Sequence, residues 1–179
     1  MKLNLNPGAL AKALFEVSGK NNVLDEVKNA LLFLNETISN NGQFRVFIQS
    51  KKIQGSQKAK ILNEVLGSFG NSLVNELVSY LNGSSAPKQL NEISRLFQSM
   101  YRKDKNILEV QGIVANEISE SQIESLKKSL DTLFGKQTEL SIKVDSDIIG
   151  GIKLRIENTF LDASIKNQLQ ILRNELLHI

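Results

Sequence analysis

One histidine, no cysteine and a closely spaced pair of aspartates bound the chemistry open to this 179-residue chain. The histidine is His178, next to the last residue, where chains fray. No serine stands in a G-x-S-x-G elbow, so a nucleophile with base and orienting acid has no basis. The lack of cysteine removes thiol nucleophiles, disulfides and thiolate zinc sites, and fits a reducing compartment. Asp145 and Asp147 are the remaining candidates. Paired acids can bind a divalent cation or share a proton. Such a cation takes several oxygens, however, and the following Gly150-Gly151 fits a turn better. Asp145 is expected to accept main-chain N–H bonds there. Gly150-Gly151-Ile152-Lys153 faintly echoes a phosphate loop, but it leads into a strand, so no helix N-terminus awaits a phosphate. The expectation is a protein without catalytic residues, metal or cofactor.

The elements around that turn are the most restrictive in the chain. Leu140, Ile142 and Val144 alternate with Ser141, Lys143 and Asp145. Ile152, Leu154 and Ile156 alternate with Lys153, Arg155 and Glu157. A period of two with apolar residues on one face predicts two half-buried strands. Asp145, Gly150 and Gly151 then read as the structural turn of a hairpin.

Upstream the period is helical. The stripe Leu10, Ala13, Leu14, Val17 predicts a helix over 4–19, with Pro7 in its first turn and Gly19 at its end. Its alanines make it slim. The apolar face from Val23 to Ile38 predicts a second helix over 22–40, and Phe44 to Ile48 a short third. Ser56 suits the cap of a fourth, with Ala59, Leu62, Val65, Leu66 and Phe69 inward. Asn71 suits the cap of a fifth, whose apolar arc (Leu73, Val74, Leu77, Val78, Leu81) is wider than one contact needs. A sixth spans 88–103. Then Leu108, Val110 and Val114 predict a strand in which Gly112 marks a bulge or close contact. Ser119 to Gln122 fits a capping box, and the helix it opens ends at Gly135. The last helix carries Ile165, Leu169, Leu172 and Leu176. The predicted fold is mostly α: a six-helix bundle over 1–104, then a small α+β domain over 105–179 with three strands and two helices.

Composition narrows the function classes. Hydrophobic residues make up 41%, enough for packed cores. The longest apolar run, Ala30–Leu34, is far short of the roughly twenty residues a spanning helix needs. The N-terminus has no continuous apolar signal core, from which a cytosol-facing protein is expected. Residues 1–103 carry 13 Lys/Arg and 7 Asp/Glu, a balance of +6, while residues 104–179 carry 9 and 12, a balance of −3. A basic half admits a nucleic-acid partner as the alternative reading. Its lysines are scattered, with Lys51-Lys52 and Lys58/Lys60 the nearest to clusters and no aromatic residue among them to stack a base. The wide fifth and slim first helices are the positive signal. They either form a groove for a foreign amphipathic helix or bury both faces within the bundle, since periodicity shows that a face is covered but not by what.

Three stretches carry a resemblance to a known family. Ala9-Leu10-Ala11-Lys12-Ala13-Leu14-Phe15-Glu16 is similar to the opening helix of the delta subunits of bacterial and chloroplast F-type ATP synthases, whose mitochondrial counterpart is the oligomycin-sensitivity-conferring protein. Leu10 stands where that family usually has Tyr. Val144–Ile156 resembles its valine-aspartate turn, Gly-Gly and alternating strand. Leu161-Asp162-Ala163-Ser164, with Gln168, Leu169 and Leu172 beyond, resembles its Asp-Gly-Ser segment, with Ala163 a departure from the usual Gly.

The resemblance covers nearly the whole chain and implies a non-catalytic stator subunit, one copy per complex. By this likeness the bundle binds the N-terminal helix of an alpha subunit of the catalytic head. The C-terminal domain binds the C-terminal ends of b-type stalk subunits. Through the complex, the subunit would sit peripherally at the cytoplasmic face of the inner membrane, or the stromal face of a thylakoid, with no nucleic acid bound. The candidate groove residues are Leu10, Ala13, Val17, Val74, Val78 and Leu81. In the C-terminal domain the last helix either docks on the sheet or receives the b-type helices.

Overall fold

The computed structural model describes residues 6–177, the side chain of Ser68 excepted, so His178 lies outside the described residues. Two compact units divide between Lys103 and Asp104.

The first unit is helical: α1 (Pro7–Lys20), α2 (Leu24–Asn40), α3 (Gly42–Gln49), α4 (Gly55–Leu66), α5 (Ser72–Tyr80) and α6 (Ala86–Asp104), with a 3-10 turn Gly67–Phe69 after α4. Side chains cap three of these starts. Asn6 accepts from the Gly8 N–H at 2.9 Å, Asn41 from Phe44 at 3.0 Å and Asn71 from Leu73 at 3.0 Å. Boundaries differ from expectation: α1 begins at Pro7 behind its Asn6 cap, and α6 spans Ala86–Asp104. Gly19 lies inside α1, which runs on to Lys20. Ser56 lies inside α4, which starts at Gly55 behind an uncapped Gln54.

Val27, Leu31 and Leu34 of α2, Val74 and Val78 of α5, and Leu90, Ile93 and Phe97 of α6 form the core. Phe15 meets Phe97 edge to face at 5.6 Å between centroids, joining α1 to α6. The Tyr101 hydroxyl bonds the Asp25 carboxylate, joining α6 to α2. The fourth helix buries only part of the predicted face: Leu62 and Leu66 are buried and Ala59 half-buried as expected, but two positions are not. Its buried positions are Lys58, Leu62 and Leu66, while Val65 and Phe69 are exposed. A lysine stands in the apolar stripe, and Phe69 instead stacks on Phe33 at 5.3 Å.

The second unit comprises β1 (Ile107–Val114), α7 (Glu120–Phe134), β2 (Gln137–Val144), β3 (Gly151–Ile156), β4 (Thr159–Ser164) and α8 (Ile165–Leu177). The strand order is β2-β1-β3-β4. The two strands beside the aspartate turn are therefore not a hairpin. Strand β1 lies between them, parallel to β2 and antiparallel to β3. A parallel pair needs a crossover, and α7 supplies it between β1 and β2. The hairpin is formed instead by β3 with β4, a strand the sequence did not announce.

Leu108, Val110, Leu130 and Leu154 form the small core, with Leu126, Leu140, Ile152 and Ile156 packed against it, so α7 covers one sheet face. Gly112 keeps continuous register with both neighbours, so there is no bulge. A Cβ there would lie 2.6 Å from Ile142 Cδ1. The glycine is a close approach, and it lets a neighbouring side chain lie across β1.

Candidate partner-binding surfaces

The six groove candidates separate into two groups. On α1, Ala11 and Leu14 face the core, while Leu10 is half-buried, Ala13 is exposed and Val17 is 42% exposed. These three form an outer stripe at i, i+3 and i+7. On α5, Val74 and Val78 are 0% exposed, and Leu81, the residue that caps its C-terminus, is 1% exposed. They belong to the bundle core, and a partner cannot reach them while the bundle is closed. The wide apolar arc has a plain cause: α5 packs against α1, α2 and α4 together. Its remaining apolar residues are half-buried Leu73 and Leu77, with exposed Tyr80 in the same i, i+4, i+7 line. Sequence periodicity ranks all of these alike, because it reports apolar arc and not the number of neighbours.

Lys58 is the residue that sequence reading missed. It is 1% exposed. Its Nζ donates to the main-chain carbonyls of Ile48 at 2.9 Å, Ser50 at 3.2 Å and Leu81 at 3.1 Å. Burial lowers its pKa from the ordinary lysine value. The position follows the i, i+4, i+8 spacing of Lys58, Leu62 and Leu66, a signal that a polarity pattern hides.

In the second unit the aspartate–glycine turn joins three elements. Asp145 Oδ1 accepts the Asp147 N–H at 3.0 Å, and the Asp145 N–H donates to Val114 at 2.8 Å. Gly151 has φ +78, and a Cβ there would collide with the Ala163 carbonyl oxygen. The Ile165 N–H donates to the Gly150 carbonyl at 2.9 Å. The turn thus seats the end of β4 and the start of α8. Asp162 completes that seat. It accepts from the Ser164 N–H at 3.0 Å and its hydroxyl at 2.5 Å, and pairs with Lys153 at 3.2 Å. The Ser164 bond, foremost, holds the Asp162 pKa below the usual carboxylate value, and Lys153 adds to it. Ser164 Oγ in turn accepts from the Asn167 N–H at 3.2 Å, capping α8.

Helix α8 buries none of its residues. Leu172 is 52% exposed, and Ile165, Leu169 and Leu176 are exposed beside it. Their spacing of four, three and four is the seam of a helix that pairs with another helix. Its main contacts are with β4 and the 3-10 turn Ser146–Ile148. Of the two expectations for this helix, burial on the sheet is not what the structure shows.

The sheet face away from α7 holds a groove of about 770 Å³ lined by Ser141, Lys143, Lys153, Arg155 and Phe160 among others. Phe160 is 73% exposed, with the Arg155 guanidinium 5.3 Å from its ring centroid. No helix among the described residues is long and apolar enough to cross a membrane. The nucleic-acid reading finds no support. Lys58, half of one apparent basic cluster, is buried and cannot meet a phosphate.

Comparison with known proteins agrees across both units. The family described as ATP synthase delta (OSCP) subunit matches residues 9–176. The "ATP synthase subunit delta" of Methylobacillus flagellatus is 32% identical over 164 residues, covering 89% of each chain. Its namesake from Buchnera aphidicola subsp. Acyrthosiphon pisum is 31% identical over 170 residues, covering 93% of each. In fold, a chain of the Toxoplasma gondii mitochondrial ATP synthase hexamer superposes with a TM-score of 0.64 at 22% identity, over 96% of this chain and 97% of that one. With the four-stranded sheet wholly inside the matched span and the helical unit and exposed C-terminal helix inside it but for their outermost residues, this chain belongs to the ATP synthase delta (OSCP) subunit family.

Proposed function

We propose that the chain is a non-catalytic stator subunit, linking the catalytic head of an F-type ATP synthase to its membrane-anchored peripheral stalk. Family membership over both units carries this reading. In it, the helical unit takes the N-terminal helix of an alpha subunit, and the second unit takes the C-terminal ends of b-type stalk subunits. One copy serves each complex, peripherally at the cytoplasmic face of the inner membrane or the stromal face of a thylakoid. The head surface is redrawn from the burial pattern. It uses Leu10, Ala13 and Val17 of α1 with Leu73 and Leu77 of α5, in place of the buried Val74, Val78 and Leu81. The stalk surface is the exposed seam of α8.

The physical demand is a joint that holds under torque. Nanomolar binding corresponds to about −12 kcal/mol, which a single helix reaches only with a well-packed apolar centre. The deciding experiment uses membranes carrying the complete ATP synthase. Stripping this chain should abolish ATP-driven proton pumping while ATP hydrolysis continues, and adding it back should restore pumping. Pumping that is unaffected by its removal, or a chain that does not travel with the complex, refutes the reading.

A further inference from the structure

Lys58 carries the inference. Lysine is almost never fully buried without an anionic partner, and no carboxylate pairs with this one among the described residues. Instead its three protons meet three carbonyls at the ends of two other helices. Ile48 is in the last turn of α3, and Ser50 and Leu81 are the C-terminal caps of α3 and α5. The final carbonyls of a helix have no partner within it, and they carry the negative end of its dipole. A cation projected from α4 therefore answers both helix ends at once. The same knot is closed from the other side, where the Gly83 N–H donates to the Gln49 carbonyl at 2.8 Å.

Packing alone does not call for this arrangement, since a Leu or Met fills an apolar stripe without desolvating a charge. The bonds instead fix where α5 ends. That helix has nine residues, so Leu77 and Tyr80 lie within about one turn of the tied carbonyl. We infer that Lys58 is a positioning residue for the partner surface, setting the placement of α5 against α1 by tying the Leu81 carbonyl to α3 and α4. This rests on the proposed binding of an alpha-subunit helix at α1 and α5.

The test compares Lys58→Met with Leu62→Ala in the full chain, Leu62 being the next buried position on the same face of α4. Affinity for a peptide of the alpha-subunit N-terminal helix is measured by calorimetry, at a temperature where both variants are folded by circular dichroism. Lys58→Met should bind at least about tenfold more weakly, as loss of a well-placed contact does. Leu62→Ala should lower the melting temperature yet bind as the wild type does. Unchanged affinity in folded Lys58→Met, or an equal loss in Leu62→Ala, overturns the inference. Should Lys58→Met not fold, the ammonium resonance of Lys58 in the wild-type protein decides. It should shift on peptide addition, and no shift overturns the inference. A wild-type chain that does not bind the peptide refutes the proposed function instead. Amide exchange at Leu81 then reads the positioning alone: faster exchange in Lys58→Met, with α2 unchanged, upholds it, and no change overturns it.

Discussion

Ile165 sits directly over Gly150. Its N–H donates to the Gly150 carbonyl at 2.9 Å, and a Cβ on that glycine would lie 2.7 Å from Ile165 Cδ1. At the next residue, Gly151 has a left-handed backbone and faces the Ala163 carbonyl. The two glycines make the seat from which α8 projects. Gly151→Ala should therefore destabilise the second unit by more than about 2 kcal/mol, combining the left-handed cost with a backbone collision. Gly150→Ala should cost less, because the obstructing atom ends a side chain. Denaturant melts of the two variants check the order, and equal effects would contradict this account of the turn.

Asp162 gives the second unit an acid-sensitive bond. Its folded pKa is depressed, chiefly by Ser164. The sign follows from linkage: the stabilisation is present above the unfolded pKa of about 3.9 and is lost as pH falls through the lower folded value. Melting temperatures of the wild type and Asp162→Asn should therefore differ most at neutral pH and converge in acid, once pH has fallen through the depressed folded pKa. A difference that persists in strong acid would place the effect in packing.

On α1 and α5, the same substitution should have different consequences at an exposed and a buried apolar position. Ala13→Asp lies on the exposed stripe, so the bundle should keep its melting temperature while affinity for the alpha-subunit peptide falls. Val74→Asp puts an unpaired charge at a site with no exposure and should cost about 3–5 kcal/mol of stability. Calorimetry for the first and thermal melts for the second test whether core and surface are assigned correctly.

For α8, Leu172→Asp should leave the fold intact, because the side chain is already half in water. Association with b-type subunits in pull-down should fall by at least about tenfold, as it does when a central apolar anchor is lost. Undiminished association would move the stalk contact elsewhere, with the Phe160 face of the sheet the next surface to test.

Local signals carried most of the fold. Asn71, the Ser119–Gln122 capping box and Gly135 were visible as caps because each acts within its own turn of chain. The strands of the second unit were visible where alternation was strong. Strand β4 was not. Five of its six residues are exposed, Phe160 and Leu161 break the alternation, and its hairpin turn uses Glu157 at φ 50 instead of a glycine. The pairing of β1 between β2 and β3 is a long-range fact that no short window contains. For the surfaces, the α1 stripe was legible and the α5 assignment was not. Val74 and Leu77 are equally apolar, and only the count of helices around α5 separates them. Lys58 was invisible for the opposite reason, since its chemistry argues for the surface and three distant carbonyls overrule it.

The strand order has a mechanical side. Only Lys105 and Asn106 separate the end of α6 from β1, and β1 is hydrogen-bonded along both edges, to β2 and to β3. A pull transmitted down the chain thus reaches an inner strand before an edge strand. Tension along that strand loads the two ladders in shear, sharing force over many bonds at once. A hairpin at the edge would be peeled open one bond at a time. Under the proposed stator role, the entry point of the chain would matter as much as the strength of any single contact.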